Sequence, residues 1–186
     1  KVFYDIGANV GYFTVLTSKT SSHVHAFEMH PGLVESIRKN LEINDLDAKV
    51  VQKAVSDSEE TVNFDPKVVS TIDASGHGEV EAESVKLDDY LKDNDKPDIM
   101  KIDVEGFEIK VLKGAEKLID EHPPEIIFVE LHPSKLEELG SSTEEVLSML
   151  DGYRTLNLKK YAKGVEEELE RPVESNTMVV CKRDHS

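Results

Sequence analysis

Ionisable side chains are concentrated in the segment KIDVEG, which begins at Lys101. Side chains of an extended strand alternate between its two faces, so Lys101, Asp103 and Glu105 are predicted on one side of a strand. The segment IIFVELH adds Glu130 and His132. A carboxylate or imidazole at the end of a buried strand can remove the proton from an attacking hydroxyl group. The candidates for such a general base are therefore Asp103, Glu105, Glu130 and His132.

The same residues allow other interpretations. Lys101 could form only an ion pair with Asp103 or Glu105 that fixes the end of the strand. The carboxylates could hold Mg²⁺ or Ca²⁺, which prefer hard oxygen ligands, although the sequence alone leads us to assign no metal. His132 precedes a proline and could be an ordinary turn residue; we favour a functional role because its strand is expected beside KIDVEG.

A glycine turn lies in the segment DIGANVGYFT, directly after the first apolar run. Gly7 and Gly11 allow the backbone to approach a ligand closely. Their spacing differs from the G-x-G-x-x-G pattern of dinucleotide sites, and no phosphate-loop G-K-[ST] follows. Asp5, at the end of the preceding run, is a poor neighbour for a pyrophosphate. The turn therefore favours a ligand group that is neutral or cationic.

An acidic residue, Glu28, ends the second apolar run. In α/β proteins a carboxylate placed about 20 residues beyond such a turn often accepts hydrogen bonds from ribose hydroxyls. Asp5 and Glu28 together indicate a nucleoside that carries a cationic or zwitterionic group, and S-adenosylmethionine fits this description. The alternative is a tight structural turn with two ordinary carboxylates at strand ends.

Short apolar runs alternate with helical segments, which is typical of an α/β domain with a mainly parallel sheet. Strands are predicted over residues 1–7, 23–28, 48–55, 97–106, 125–132, 153–158 and 176–183, and helices over 11–20, 31–44 and 107–122. The segment between the last two strands is too short for a full crossover helix, so these strands are predicted to be antiparallel. Residues 56–85 give weaker patterns of two short strands and a polar loop that contains His77. We expect a single domain over residues 1–186.

Three stretches carry a resemblance to a known family: YDIGANVGYFT, AFEMHPGLVESIRKNLEIN and MKIDVEGFEIKVLKGAEKLI. In order and spacing they resemble the FkbM-type branch of S-adenosylmethionine-dependent methyltransferases. The resemblance implies a Rossmann-like class I methyltransferase fold with helices on both faces of a seven-stranded sheet. The implied strand order is 3-2-1-4-5-7-6, with the last strand antiparallel. Members usually carry residues before the first strand that help to cover the cofactor, whereas this sequence begins at that strand.

The resemblance also implies roles for individual residues. The methionine side of S-adenosylmethionine would be lined by Asp5, Gly7, Asn9 and Gly11, and Asp5 could take its α-ammonium group. Glu28 would bind the ribose, and Ala54 and Val55 would flank the adenine. From the strand pattern we expect at least Asp103 and Glu105 to lie beside the transferred methyl group. The residues that we assign to catalysis are Lys101, Asp103, Glu105 and His132. For Asn9 the simpler interpretation is tolerance of a left-handed backbone conformation.

The amino-acid composition limits the classes of binding partner that we expect. The formal net charge of −16 disfavours nucleic acid and anionic membranes. The family resemblance implies methyl transfer, often to a hydroxyl group of a sugar or secondary metabolite, so we expect a small-molecule or glycan acceptor. No apolar run approaches the roughly 20 residues of a membrane span. The single cysteine, Cys181, excludes an intrachain disulfide and fits a reducing, cytoplasmic location. We expect Cys181 to lie in the core and not to act as a nucleophile.

These observations predict a methyltransferase that uses S-adenosylmethionine, most simply for O-methylation of a hydroxyl group. Two alternatives stay open at this point. One is a cofactor-binding module without catalytic activity. The other is a nicotinamide-dependent oxidoreductase, which the glycine spacing disfavours.

Overall fold

The structure, a computed structural model, describes residues 1–21, 23–64 and 80–183. In these ranges the strands are β1 (Val2–Ile6), β2 (His23–Phe27), β3 (Lys49–Val51), β4 (Ala54–Val55), β5 (Thr61–Phe64), β6 (Val80–Val85), β7 (Ile99–Ile102), β8 (Ile126–Leu131), β9 (Arg154–Asn157) and β10 (Thr177–Lys182). The helices are α1 (Tyr12–Ser18), α2 (Pro31–Ile43), α3 (Leu87–Tyr90), α4 (Glu108–Lys113), α5 (Glu116–Glu121), α6 (Pro133–Glu138), α7 (Thr143–Ser148) and α8 (Leu158–Tyr161).

Seven of the strands form one sheet in the order β3-β2-β1-β7-β8-β10-β9. Numbered along the chain within this sheet, the order is 3-2-1-4-5-7-6, as the family resemblance implies. β10 is antiparallel to both of its neighbours, and the remaining pairs are parallel. The predicted antiparallel pairing of the last two strands is therefore confirmed. Because β1 lies between β2 and β7, the turns that follow these three strands meet at one edge of the sheet.

Apolar side chains cover the two faces of the sheet unequally. The larger buried cluster includes Tyr4, Ile6, Met100, Ile102, Ile127, Val129, Leu131 and Val179, together with apolar residues of α4, α5 and α7. A smaller cluster contains Ala8 of the glycine turn, Ala26 of β2, and Ile37 and Leu41 of α2, with Val15 of α1 packed against it. α2 begins at Pro31, a favourable first helical residue, and His30 Nδ1 accepts hydrogen bonds from the backbone N–H groups of Gly32 and Leu33. This packing holds α2 against the side of the sheet where the glycine turn lies.

The sequence predicts one strand over residues 48–55, whereas the structure divides this segment between two sheets. β3 pairs with β2 in the main sheet, and β4 pairs with β6 in a small sheet of order β4-β6-β5. The chain turns between them, where the N–H of Lys53 donates to the carbonyl of Val51 at 3.0 Å. The division turns Ala54 and Val55 away from the main sheet.

The sequence also predicts one helix over residues 107–122, which the structure divides into α4 and α5. The carboxylate of Asp88, on α3, accepts from the N–H groups of Lys117 and Leu118 at 3.0 Å and so caps α5. The N–H of Asp88 donates to the carbonyl of Gly114 at 2.9 Å. A Cβ atom on Gly114 would lie 2.0 Å from the carbonyl oxygen of Ser56, so the helix breaks where two distant segments approach it.

Three further expectations concern parts of the chain away from this sheet edge. Most of the predicted polar loop, including His77, lies outside the described residues. Cys181 is completely buried, as expected, and burial raises the pKa of its thiol. In the part of the chain that the structure describes, the helices are too short or too polar to cross a bilayer.

Candidate active site

An open cavity of about 670 Å³ lies where β1, β2 and β7 end at one edge of the sheet. Part of this volume is continuous with solvent. Its walls are formed by Ile6, Gly7, Asn9, Phe27, Glu28, Met29, Lys53, Ala54, Val55, Asp103, Val104, Glu105 and Phe107. The cavity therefore joins five of the seven residues that the sequence assigns to cofactor binding with two of those it assigns to catalysis; Asp5 and Gly11 do not line it.

The glycine turn borders this cavity, and several of its residues have positive φ angles. Gly7 has φ +73°, and a Cβ atom there would lie 1.9 Å from the carbonyl oxygen of Asp103. Asn9 has φ 52°, so the left-handed backbone conformation is present as expected, and the residue also lines the cavity. Gly11 has φ +84° at the start of α1 and packs against Ile37, outside the cavity wall. Gly7 is required by both conformation and space.

Glu28 connects the glycine turn to the segment after β2. Its Oε2 accepts from the N–H of Asn9 and its Oε1 from the N–H of His30, each at 2.9 Å. Burial raises the pKa of Glu28, and the backbone N–H groups that it accepts only partly offset this effect. Each carboxylate oxygen has a second lone pair, so the side chain can still accept hydrogen bonds from a ligand in the cavity.

Asp5 and Lys101 lie behind the glycine turn. Asp5 is completely buried, and its Oδ2 accepts from the hydroxyl of Thr14 at 2.6 Å. The Nζ atom of Lys101 lies 3.4 Å from Asp5 Oδ1 and 3.2 Å from Asp103 Oδ2, and donates to the carbonyl of Gly7 at 2.8 Å. The ion pair between Lys101 and Asp103 that the sequence allows is thus present. Asp5 is placed to support the turn through Lys101, whereas the sequence predicts contact with the cofactor itself.

A further part of the cavity wall comes from the small sheet. Ala54 and Val55 are buried and line the cavity. Lys53, the preceding residue, also lines it and pairs with Glu83 of β6 at 2.8 Å. The small sheet thus contributes two apolar side chains to the same cavity as Glu28.

The acidic wall is built by a turn and not by a continuing strand. β7 ends at Ile102, and Glu105 adopts φ 52°. The alternation predicted for an extended KIDVEG segment is therefore wrong beyond Ile102. The turn nevertheless brings Asp103 Oδ1 and Glu105 Oε2 to 3.9 and 3.6 Å from Nε2 of His132. β8 lies beside β7, as expected, and so places His132 next to these carboxylates.

His132 is held from behind by Glu108, a residue that the sequence reasoning missed. Nδ1 of His132 lies 2.7 Å from Oε1 of Glu108, which also accepts from the N–H of Gly106 at 3.1 Å. Burial alone would lower the pKa of His132, but the hydrogen bond and charge of Glu108 raise it above its usual value. Glu108 is completely buried on the apolar face of α4, and a carboxylate on such a face is the signal that identifies it.

Glu130 is half-buried on β8, before the end of the strand. Burial is the main cause that raises the pKa of Glu130, and the negative charge of Asp103 raises it further. Glu130 is not among the residues that line the cavity. Of the four candidate bases, Asp103 and Glu105 line the cavity, and His132 lies next to both of them.

Comparison with known proteins identifies the family. Residues 5–157 match the family described as the methyltransferase FkbM domain. The chain belongs to the FkbM methyltransferase family. It is 26% identical over 136 residues to the hexuronic acid methyltransferase AglP of Haloferax volcanii. The aligned region is 70% of this chain and 56% of AglP.

Solved structures support the same fold. The FkbM methyltransferase of Methylobacillus flagellatus KT matches with a TM-score of 0.63 and 19% identity, over 97% of this chain and 43% of that chain. Magnesium protoporphyrin IX methyltransferase of Synechocystis PCC 6803, with bound S-adenosylhomocysteine (SAH), matches with a TM-score of 0.51 and 10% identity, over 98% and 74% of the two chains. The chain thus has the predicted class I methyltransferase fold and spans about half the length of its FkbM relatives. Membership of this family removes the nicotinamide-dependent oxidoreductase from the alternatives.

Proposed function

We propose that this chain transfers the methyl group of S-adenosylmethionine to a hydroxyl oxygen of a sugar or another small hydroxylated acceptor. The observation that carries the proposal is the composition of one cavity. Glu28, Asp103 and Glu105 line the same cavity, and the latter two lie next to the buried pair of His132 and Glu108. Family membership supports the reaction type.

The cofactor side of the cavity fits an adenosine. Its walls combine apolar side chains with a carboxylate and backbone groups, as is typical of small-molecule sites. Glu28 would accept hydrogen bonds from ribose hydroxyls, Ala54 and Val55 would pack on the adenine, and the turn from Gly7 to Asn9 would border the methionine part. When bound, S-adenosylmethionine supplies a methyl group on a positively charged sulfur. Asp5 and Lys101 would act indirectly, by fixing the carbonyl of Gly7.

The acidic wall fits the acceptor side. Methyl transfer needs the acceptor oxygen, the methyl carbon and the sulfur in line, so groups that orient the acceptor contribute much of the rate. Asp103 and Glu105 would hold the acceptor hydroxyl, and together with His132 they would favour the loss of its proton. The pair of His132 and Glu108 supports a hydroxyl acceptor, since a carboxylate acceptor has no proton to lose at neutral pH.

A glycan acceptor is supported by the relative AglP, whose name specifies a hexuronic acid. A hexuronic acid offers both hydroxyl oxygens and a carboxylate oxygen. Our proposal is methylation of a hydroxyl group, which produces an ether. The two products differ chemically, because mild alkali hydrolyses a methyl ester and leaves a methyl ether intact.

Two measurements test the proposal. Calorimetric titration with SAH should show binding to the wild-type chain and a clear loss in Glu28→Ala, whereas Glu35→Ala, an exposed change on α2, should bind as the wild type does. Radiolabelled S-adenosylmethionine should then label a glucuronide acceptor in a form stable to mild alkali. Absence of SAH binding would refute the assignment of the cavity. Binding without transfer to any hydroxylated acceptor would favour the catalytically silent module, and an alkali-labile product would refute the hydroxyl.

A further inference from the structure

We propose that Asp103, Glu105 and His132 form a binding site for a divalent metal cation, which holds and polarises the acceptor oxygen. The proposal deepens the function proposed above and rests on it for the role of the cation, although not for its binding. Each of the three residues offers one ligand atom, and these atoms all lie within 4.8 Å of one another.

The distances from His132 to the two carboxylates fit a shared ion. Nε2 of His132 lies 3.9 Å from Asp103 Oδ1 and 3.6 Å from Glu105 Oε2. Ligand atoms that bind one ion at about 2.1 Å lie about 3 to 4.3 Å from each other. The two carboxylates are partly exposed, with 28% and 33% of their side-chain surfaces accessible, so they can make the small adjustment that coordination requires.

The orientation of His132 is a second and independent observation. Its side chain is 2% exposed, and Nδ1 faces the completely buried carboxylate of Glu108 at 2.7 Å. A carboxylate only accepts, so Nδ1 donates, and the lone pair of neutral His132 is then on Nε2. Nε2 makes no hydrogen bond with any residue that the structure describes, because both neighbouring carboxylates lie beyond hydrogen-bond distance. Carboxylate, imidazole and metal in this order form a common arrangement at metal sites.

Lys101 does not occupy the proposed site. It contacts Oδ2 of Asp103 at 3.2 Å, whereas Oδ1 is the atom that faces His132. The ammonium group of Lys101 is also held by the carbonyl of Gly7, on the side of the glycine turn. The two oxygens of Asp103 are therefore divided between the lysine and the proposed cation.

The donor set indicates the class of cation. Two carboxylate oxygens and one imidazole nitrogen suit a first-row divalent ion such as Mn²⁺ better than Ca²⁺, which takes only oxygen ligands. Asp103 and Glu105 line the cavity, so the remaining coordination positions would face it. An acceptor hydroxyl bound there would ionise more readily: its O–H bond breaks, the proton passes to water, and the oxygen stays on the cation. A carboxylate on an acidic sugar could occupy a further position, although the surrounding wall is negatively charged.

Direct metal binding provides the test. After dialysis against EDTA and then chelator-free buffer, the chain is titrated with Mn²⁺ while free Mn²⁺ is followed by electron paramagnetic resonance. We expect one tight site per chain, weakened at least tenfold in Asp103→Asn, in Glu105→Gln and in His132→Ala. Glu108→Gln keeps all three ligands and should weaken binding by about 10- to 100-fold through the orientation of His132. The control Glu42→Gln, an exposed change on α2, should bind as the wild type does.

The outcomes separate this proposal from the proposed function. If Mn²⁺ does not bind, or if Asp103→Asn and Glu105→Gln leave the tight site unchanged, the metal proposal is refuted. These two substitutions alter partly exposed side chains, so the test does not depend on whether His132→Ala folds. The same samples are titrated with SAH. SAH binding without Mn²⁺ binding refutes the cation and retains the cofactor, whereas Mn²⁺ binding without SAH binding refutes the proposed function alone.

Discussion

Glu28 Oε2 accepts a hydrogen bond from the backbone N–H of Asn9 at 2.9 Å, and this contact joins the end of β2 to the glycine turn of the cavity. The same carboxylate reaches forward to the N–H of His30 at the start of α2. One side chain thus fixes two segments that border the ligand and presents its remaining lone pairs to the cavity. Its ionisation should consequently control ligand affinity.

We predict that affinity for SAH falls as the pH is lowered, with Glu28 as the titrating group. Burial raises the pKa of Glu28 above the usual value of about 4.3, so its protonation begins at a higher pH than for an exposed glutamate. Protonation weakens its ability to accept ribose hydroxyl groups. Calorimetry from about pH 8 to about pH 5 should show this loss in the wild type. Glu28→Gln should bind more weakly at the upper pH and lack this dependence; an equally steep fall in Glu28→Gln would contradict the assignment.

We predict that Lys101→Met destabilises the fold strongly. The substitution leaves Asp5 buried without its ammonium partner, which typically costs about 3–5 kcal/mol of unfolding free energy. Urea denaturation should measure the loss, and Asp5→Asn added to Lys101→Met should recover part of it. Lys159→Met, an exposed change on α8, is the matched control and should be nearly neutral. A loss under about 1 kcal/mol in Lys101→Met would mean that the lysine does not support the turn.

We predict that Gly7→Ala prevents SAH binding and destabilises the chain more than Gly140→Ala does. The two glycines have similar φ values, +73° and +75°, so the conformational penalty for alanine is nearly the same. Only at Gly7 does the new Cβ meet an obstacle, the carbonyl of Asp103; at Gly140 nothing described lies within 4 Å. Steric overlap should add about 1–3 kcal/mol at Gly7, measurable by thermal unfolding. Equal effects of the two substitutions would show that the turn can move away from Asp103.

We predict that Glu108→Gln lowers the rate of methyl transfer while leaving affinity for SAH unchanged. Glu108 contacts His132 and the N–H of Gly106, and none of the residues on the cofactor side. Loss of a carboxylate that orients a functional histidine typically costs about 10- to 100-fold. Single-turnover kinetics beside calorimetry separate the two effects, with Glu116→Gln, an exposed change on α5, as the control. A parallel loss of SAH affinity would indicate a general disturbance of the cavity.

Local patterns could predict most of the strands, whereas the order of the main sheet is predicted from the family resemblance alone. Each strand is a short apolar run, and the positions of Asp5, Glu28 and His132 at or near strand ends follow from the sequence. The left-handed conformation of Asn9 is likewise a local property. These features place the cavity at the correct edge of the sheet without any knowledge of distant contacts.

The features that sequence reasoning missed all depend on contacts between distant segments. The split between α4 and α5 requires Asp88, which caps α5 from another helix. Asp5 lies behind the turn because it contacts Lys101 and Thr14. The sequence predicts instead that Asp5 contacts the cofactor, because neither partner can be identified from local patterns. Glu108 shares the apolar face of α4 with Leu112, but its partner His132 follows a different segment, β8. Local patterns therefore predict where the site lies, but they do not identify all the side chains that stabilise it.

The cavity has walls from two separate sheets, because Glu28 and Asp103 follow strands of the main sheet while Ala54 and Val55 belong to the small one. A ligand that contacts both walls restrains the movement of one sheet relative to the other. Part of its binding energy is then spent in restraining the small sheet, so amide hydrogens of β4 and β6 should exchange more slowly when SAH is bound. The rigidity of the small sheet would thus depend on the bound ligand and not on the polypeptide alone.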